Sequence, residues 1–295
     1  MSGDMAMSGC EGAPMSFAIM AGVSMHTFVT FNINGIRAHW HQLEELLAKY
    51  QPWLVGLQET KVVDELFPVD ALSALGYHCE FHGQKGHYGV ALISRDKPLE
   101  VQKNFPAEEP DAQRRMIAAT YSWGGTTIHV INGYFPQGES RHHPTKFPAK
   151  RRYYQDLCDY LDRKCDPEDP VVVMGDMNVA PGELDVGIGD DNARRWLREG
   201  KCCFLPEERE WLHGVMEWGL HDGLRHLHPK DPMLSWFDYR SRGFQREPRR
   251  GLRIDHILLT APVFHSLGQA GVDYDIRAME RPSDHCPVWV ALATP

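Results

Sequence analysis

Six apolar stretches of this chain each lie directly against polar or ionisable side chains. Phe28-Val29-Thr30-Phe31 meets Asn32 and, after Ile33, Asn34-Gly35. Trp53-Leu54-Val55-Gly56-Leu57 meets Gln58-Glu59. Ile128-His129-Val130-Ile131 meets Asn132-Gly133-Tyr134, and Val171-Val172-Val173-Met174 meets Gly175-Asp176 with Asn178 just beyond. Asp255-His256 stand inside Arg253-Ile254-Asp255-His256-Ile257-Leu258, and Ser283-Asp284-His285 precede Cys286-Pro287-Val288. Burying such groups is costly unless each is paired or bound to something. Taken singly, an Asn or Asp after a strand is an ordinary turn former, and His285 an ordinary hydrogen-bonded histidine. Six such ends favour a shared site, although spacing alone does not show that they converge.

The chain around these ends alternates strands and helices. The β-branched and aromatic run at residues 28–33 predicts a strand, as do residues 53–57, 88–94, 116–121, 127–132, 171–175, 235–239, 253–259 and 287–292. Leu43, Leu46 and Leu47 at helical spacing predict a helix over residues 41–50, closed by Pro52. Further helices are expected over 146–163 and 207–218. Residues 136–148, 179–191 and 241–250 are rich in Gly, Pro and charge and are expected as loops. Strict βαβ periodicity is absent, so two packed sheets covered by helices fit better than a doubly wound parallel sheet.

Composition narrows the class. A chain of 295 residues, 42% hydrophobic, can bury a large core without disulfide or metal staples. No apolar run reaches the length of a membrane span. The seven cysteines are odd in number, scattered apart from Cys202-Cys203, and lack zinc-ligand spacing, which points to a reducing cytoplasm. The first 25 residues are Met-rich and hold no Lys or Arg, so a secretory leader is not expected. They form either a disordered tail or an over-long translation start ahead of Met25, leaving residues 26–295 as one catalytic domain. The net charge of −9 runs against a simple nucleic-acid binder, but local charge matters more than its sum. Clustered carboxylates repel unless a cation neutralises them, and oxygen ligands of this kind suit Mg²⁺ or Mn²⁺.

The motifs resemble those of the exonuclease III family. The resemblance rests on Phe31-Asn32-Ile33-Asn34-Gly35-Ile36-Arg37, Gly56-Leu57-Gln58-Glu59-Thr60-Lys61 and the run from Phe81-His82-Gly83-Gln84-Lys85-Gly86-His87 to Leu92. It continues through Asn132-Gly133-Tyr134-Phe135-Pro136-Gln137-Gly138, Gly175-Asp176-Met177-Asn178, Ser235-Trp236-Phe237-Asp238-Tyr239-Arg240, Arg253-Ile254-Asp255 and Ser283-Asp284-His285. It spans residue 26 to the C-terminus. The G-D-x-N and S-D-H pieces occur across the wider superfamily of metal-dependent phosphodiesterases; the Q-E-T-K, N-G-Y-F-P-Q-G and S-W-F-D-Y-R pieces are far more specific to its DNA repair branch.

The resemblance implies an α/β fold of the deoxyribonuclease-I-like type, a four-layer α/β sandwich of two packed mixed β-sheets flanked by helices. It implies Mg²⁺ or Mn²⁺ held mainly by Glu59 with Asn32, and with Asp176, Asn178, Asp284 and His285 contributing. Asp176 would activate water, Asn178 would hold the water or the phosphate, His285 would contact the phosphate, Asp255 would orient His285, and Tyr134 would donate its hydroxyl. Trp236, Leu252 and Ile254 would line a pocket for a flipped-out abasic sugar, with Arg115, Lys146 and Arg253 assisting on the DNA. Basic groups at 146–152, 194–201 and 240–253 would straddle phosphates, and the loop over 241–251 is more basic than the family pattern. The implied partner is double-stranded DNA with abasic sites or blocked 3′ ends, bound by a monomer. A phosphoinositide or phospholipid phosphodiesterase, or a non-catalytic DNA-binding homologue, are the competing readings. The first lacks a membrane-docking loop; the second does not explain why every acidic position is kept.

Overall fold

The computed structural model describes residues 24–106 and 112–294. The predicted tail lies outside these residues as far as residue 23, and Met25 already opens the first strand. In chain order the strands are β1 (Met25–Asn32), β2 (Leu54–Gln58), β3 (His78–His82), β4 (Val90–Ser94), β5 (Glu100–Lys103) and β6 (Met116–Trp123). They continue with β7 (Thr126–Tyr134), β8 (Val171–Asp176), β9 (Leu220–Asp222), β10 (Asp255–Thr260), β11 (Leu267–Val272) and β12 (Val288–Ala293). The principal helices are α1 (Trp40–Tyr50), α2 (Val69–Ala74), α3 (Lys146–Lys164), α4 (Asp190–Glu199) and α5 (Pro206–Glu217).

The strands form two six-stranded sheets, in the orders β11-β12-β1-β2-β4-β3 and β5-β6-β7-β8-β10-β9. Each sheet is mixed. β1 and β2 are parallel, as are β7 and β8, and the remaining pairs are antiparallel. A parallel neighbour needs a crossover, and α1 and α3 supply the two. Phe28, Leu92, Ile117, Val130, Met174, Ile257 and Val290 fill the space between the sheets. Leu43, Leu46 and Leu47 of α1 pack with Leu72 of α2 on the outer face of the first sheet. Tyr154, Leu157 and Leu161 of α3 pack with Leu212 and Val215 of α5 on the outer face of the second. The result is the expected four-layer α/β sandwich.

All eight strands predicted within the interiors of the sheets are present, with ends shifted by a few residues. The predicted strand over 235–239 is not. That segment makes only isolated bridges, Trp236 to Leu252 and Trp236 to His285, because its backbone is taken up by two loops rather than by a ladder. The four strands the sequence did not predict, β3, β5, β9 and β11, are the four sheet edges. The expected loop over 179–191 gives way at Asp190 to α4, which buries none of its side chains.

One polar group joins the layers. Asn132 of β7 sends Nδ2 across the core to the carbonyls of Leu57 (2.9 Å) and Ala91 (3.0 Å), and Gln58 Nε2 donates to its Oδ1 at 2.6 Å. Asn132→Ala leaves several buried groups without partners, each costing about 1–3 kcal/mol. We expect a loss of about 2–4 kcal/mol, measured by urea unfolding of the metal-free protein.

Candidate active site

Strand direction gathers the polar ends. The C-terminal ends of β1, β2, β7 and β8 and the N-terminal ends of β10 and β12 share one rim, since the last two run antiparallel to their neighbours. In the second sheet Tyr134, Asp176 and Asp255 stand opposite one another on adjacent strands, in the register Tyr134 to Asp176 to Asp255. Close approach there requires glycine. A Cβ on Gly175 would lie 1.9 Å from the carbonyl oxygen of Gly133. At the rim the backbone turns sharply, with Asn34, Glu59 and Asn178 all at positive φ (50°, 53° and 54°). Such conformations cost energy in non-glycine residues and concentrate at functional sites.

The side chains then meet. Asn32 Nδ2 donates to Glu59 Oε1 and to Asp176 Oδ2, both at 2.9 Å, so one amide ties a carboxylate of the first sheet to one of the second. The Asn32 oxygen accepts from the backbone of Asn34. Lys61 Nζ lies 2.8 Å from Glu59 Oε2 and also reaches the Asn34 side chain. Asp284 accepts from Asn34 Nδ2 (2.9 Å) on one oxygen and from Trp236 Nε1 (3.0 Å) on the other. His285 turns Nδ1 to Asp255 (2.9 Å) and places Nε2 3.7 Å from Asp176. Ser235 donates its hydroxyl to Asp255 at 2.6 Å, completing a buried Ser-Asp-His series. Asn178 donates Nδ2 to the Phe135 carbonyl and its backbone N–H to Asp176.

Burial raises the pKa of Asp176; His285 works against the shift, and the carboxylates of Asp255 and Glu59 add to it. Burial also disfavours a charged His285, but Asp255 and Asp176 outweigh it and the pKa rises. Burial pushes Glu59 up, yet Lys61 and the Asn32 bond prevail and hold it below the usual carboxylate range. Burial, with Glu59 and Asp176 nearby, keeps the Tyr134 phenol protonated.

Glu59, Tyr134, Asp176, Asn178, Asp284 and His285 line a cleft of about 150 Å³ whose other wall is Trp236, Leu252 and Ile254. Asn32 lies fully buried beneath it. Arg115 stacks between the rings of Tyr88 and Tyr134, 4.2 and 4.6 Å from their centres, and donates to the Tyr134 carbonyl. Two of the residues expected on the DNA do not line the cleft. Lys146 is exposed and paired with Glu139 at 2.6 Å. Arg253 is buried, with its guanidinium on Asp185 (2.6 Å) and Asp222 (2.7 Å), so it braces the pocket from behind. Lys150, in the first basic group, is likewise buried against Glu208. Sequence reasoning gave no separate role to Lys61, Ser235, Gln137, Trp196 or Cys203, the last three of which also line the cleft. Lys61, Ser235 and Gln137 lay inside quoted motifs, whereas Trp196, on the unpredicted helix α4, carried no signal in the sequence.

Asp176, Asp255 and His285 place ligand atoms within 4.8 Å of one another. Asp255 is spent on Ser235 and His285, so a cation fits better in front of Glu59. There the Lys61 ammonium already stands as positive charge among oxygen donors.

A fold of two helix-covered sheets with this rim defines a phosphoester-cleaving enzyme, and a model of the endonuclease/exonuclease/phosphatase family matches residues 29–285. The chain belongs to that family, in its exonuclease III branch. It is 53% identical over 263 residues to exodeoxyribonuclease III of Haemophilus influenzae, an alignment covering 89% of this chain and 98% of that protein. An AP endonuclease from Archaeoglobus fulgidus superposes with a TM-score of 0.83 at 33% identity, covering 90% of this chain and 99% of that one. A 3′ phosphatase from Neisseria bound to a product DNA hairpin does so with a TM-score of 0.81 at 37% identity, covering 90% and 98%.

The His285 proton has a consequence for stability. Its raised pKa means that the folded state holds the proton more tightly than the unfolded state, whose value is 6.5. Its contribution is complete below that value and is lost as pH rises toward the folded pKa. Between about pH 7 and 8.5 the metal-free protein should lose up to about 2 kcal/mol, about 1.4 kcal/mol per pH unit for one proton. Asp255→Asn should flatten this slope in urea unfolding curves taken at several pH values.

Proposed function

We propose that this chain is a DNA repair phosphodiesterase that cuts 5′ to abasic sites, removes blocking groups from 3′ ends and degrades duplex DNA from 3′ ends. The observation that carries the reading is the junction of Glu59 and Asp176 on Asn32, facing an apolar wall of Trp236, Leu252 and Ile254 across one small cleft. Acidic groups beside an apolar wall match a substrate with a phosphate next to a sugar that carries no base. A lesion of this kind is also the least costly to extrude from a duplex.

Asp176, with its raised pKa, is suited to take a proton from the attacking water near neutral pH. Asn178 flanks it and adds no negative charge beside an anionic substrate. His285, held by Asp255 and carrying its proton, donates from Nε2 to a phosphate oxygen. Tyr134 offers a neutral hydroxyl donor. A divalent cation, Mg²⁺ or Mn²⁺, fits in front of Glu59, with Asn32, Asp176, Asn178, Asp284 and His285 around it, and would neutralise charge on the phosphate and the leaving oxygen. The catalytic domain, residues 26–295, acts as a monomer on double-stranded DNA in the bacterial cytoplasm. Its six described cysteines are all free thiols, consistent with a reducing compartment.

With a duplex carrying one abasic-site analogue, we expect a single cut 5′ to the lesion in Mg²⁺ and none in EDTA. Asp176→Asn should reduce the rate at least about 100-fold, the lower range for losing a general base, with the fold intact by circular dichroism. Folded wild-type protein that leaves the duplex uncut in both Mg²⁺ and Mn²⁺ would end this reading.

A further inference from the structure

A second pocket, of about 580 Å³, opens beside Tyr239, Arg242, Phe244, Gln245, Arg277 and Met279 and shares no lining residue with the catalytic cleft. Its floor is unusual. Arg277 is 3% exposed, and the carboxylate whose charge bears on it, Asp284, already accepts hydrogen bonds from Asn34 and Trp236. Arg277 Nε has no hydrogen-bond partner, and Nη2 makes only a long bond of 3.4 Å to the Phe237 carbonyl. What surrounds it is aromatic: the rings of Phe244, Tyr239 and Phe237 lie 4.8, 5.6 and 5.9 Å from the guanidinium. Burial lowers its pKa from the ordinary arginine value.

Nearby charge does not correct this. Arg242 stands exposed at the rim, in a left-handed conformation at φ 50°. Arg249 lies over Phe244 and Tyr274, at 4.9 and 4.4 Å. The one acid lining the pocket, Asp238, accepts from the backbone N–H groups of Arg240 and Ser241 and so caps its own turn. A buried cation without a counter-ion is costly. Three aromatic faces offset part of that cost, and an anion entering the pocket would offset more.

We propose that this pocket binds a phosphate group, with Arg277 as its floor and Arg242 as its rim, and that the phosphate belongs to the DNA backbone away from the scissile bond. The assignment to DNA rests on the function proposed above. Tyr239 is three residues from Trp236 of the cleft, a chain span of at most about 10 Å, so the phosphate is that of a nearby nucleotide. Guanidinium groups are the donors best shaped for phosphate oxygens, and such a contact fixes the register of the duplex without reading its sequence.

The test measures binding of a labelled duplex in EDTA over a series of salt concentrations, for wild type, Arg242→Gln and Arg277→Met. Losing one phosphate contact should make the salt slope shallower by about 0.9 and weaken binding several-fold at low salt. A second arm follows the thermal midpoint with added inorganic phosphate, expected to rise less in the variants. A phosphate response lost without any change in duplex binding would overturn the backbone assignment and leave a site for a free phosphate ester. Unchanged slope and unchanged phosphate response in Arg242→Gln would overturn the site altogether, and this exposed variant decides the matter if Arg277→Met does not fold. Failure of the repair reading would appear separately, as wild-type protein that binds the duplex but does not cut it.

Discussion

The arrangement depends on one amide. Asn32 Nδ2 holds Glu59 and Asp176 together, each at 2.9 Å, although like charges at such a place repel. Glu59 follows a strand of one sheet and Asp176 ends a strand of the other, so this junction is also where the two sheets meet at the rim. The glycines at 133 and 175 permit the backbone approach, and the positive φ values at 34, 59 and 178 aim the side chains inward. Remove the amide and the remaining features would bring two carboxylates together with nothing between them.

Around that junction the groups divide by environment. Lys61 keeps Glu59 ionised, while burial and neighbouring acids raise Asp176. The carboxylates in turn raise His285. Separated proton affinities within one small cleft are what acid–base chemistry near neutral pH requires. The overall charge of −9 therefore describes the molecule poorly. Four of its acids, Glu59, Asp176, Asp255 and Asp284, gather at the cleft, and arginines collect on the loop beyond Trp236.

Much of this was legible in the sequence, for a definite reason. Interior strands must be apolar on both faces, so β1, β2, β4, β6, β7, β8, β10 and β12 announced themselves as continuous runs. Edge strands have one free side, and β3, β5, β9 and β11 carry mixed residues with no comparable signal. The exposed helix α4 was missed on the same grounds. The polar residues at the strand ends were visible, but their convergence depends on strand order, which no local pattern encodes. Resemblance implied the convergence without giving that order, which the two sheets supply. It did not separate Arg253, buried against Asp185 and Asp222, from a surface arginine of the same loop.

The bond from Trp236 Nε1 to Asp284 joins the apolar wall to the acidic one. A group entering against the indole and a cation settling among the carboxylates therefore act on the same pair of residues. Whatever free energy one occupant gains or loses through that bond, the other must gain or lose equally. Whatever occupies the apolar wall and whatever occupies the acidic one are in this sense a linked pair of ligands, and the affinity of the protein for either is defined only when the occupancy of the other is stated.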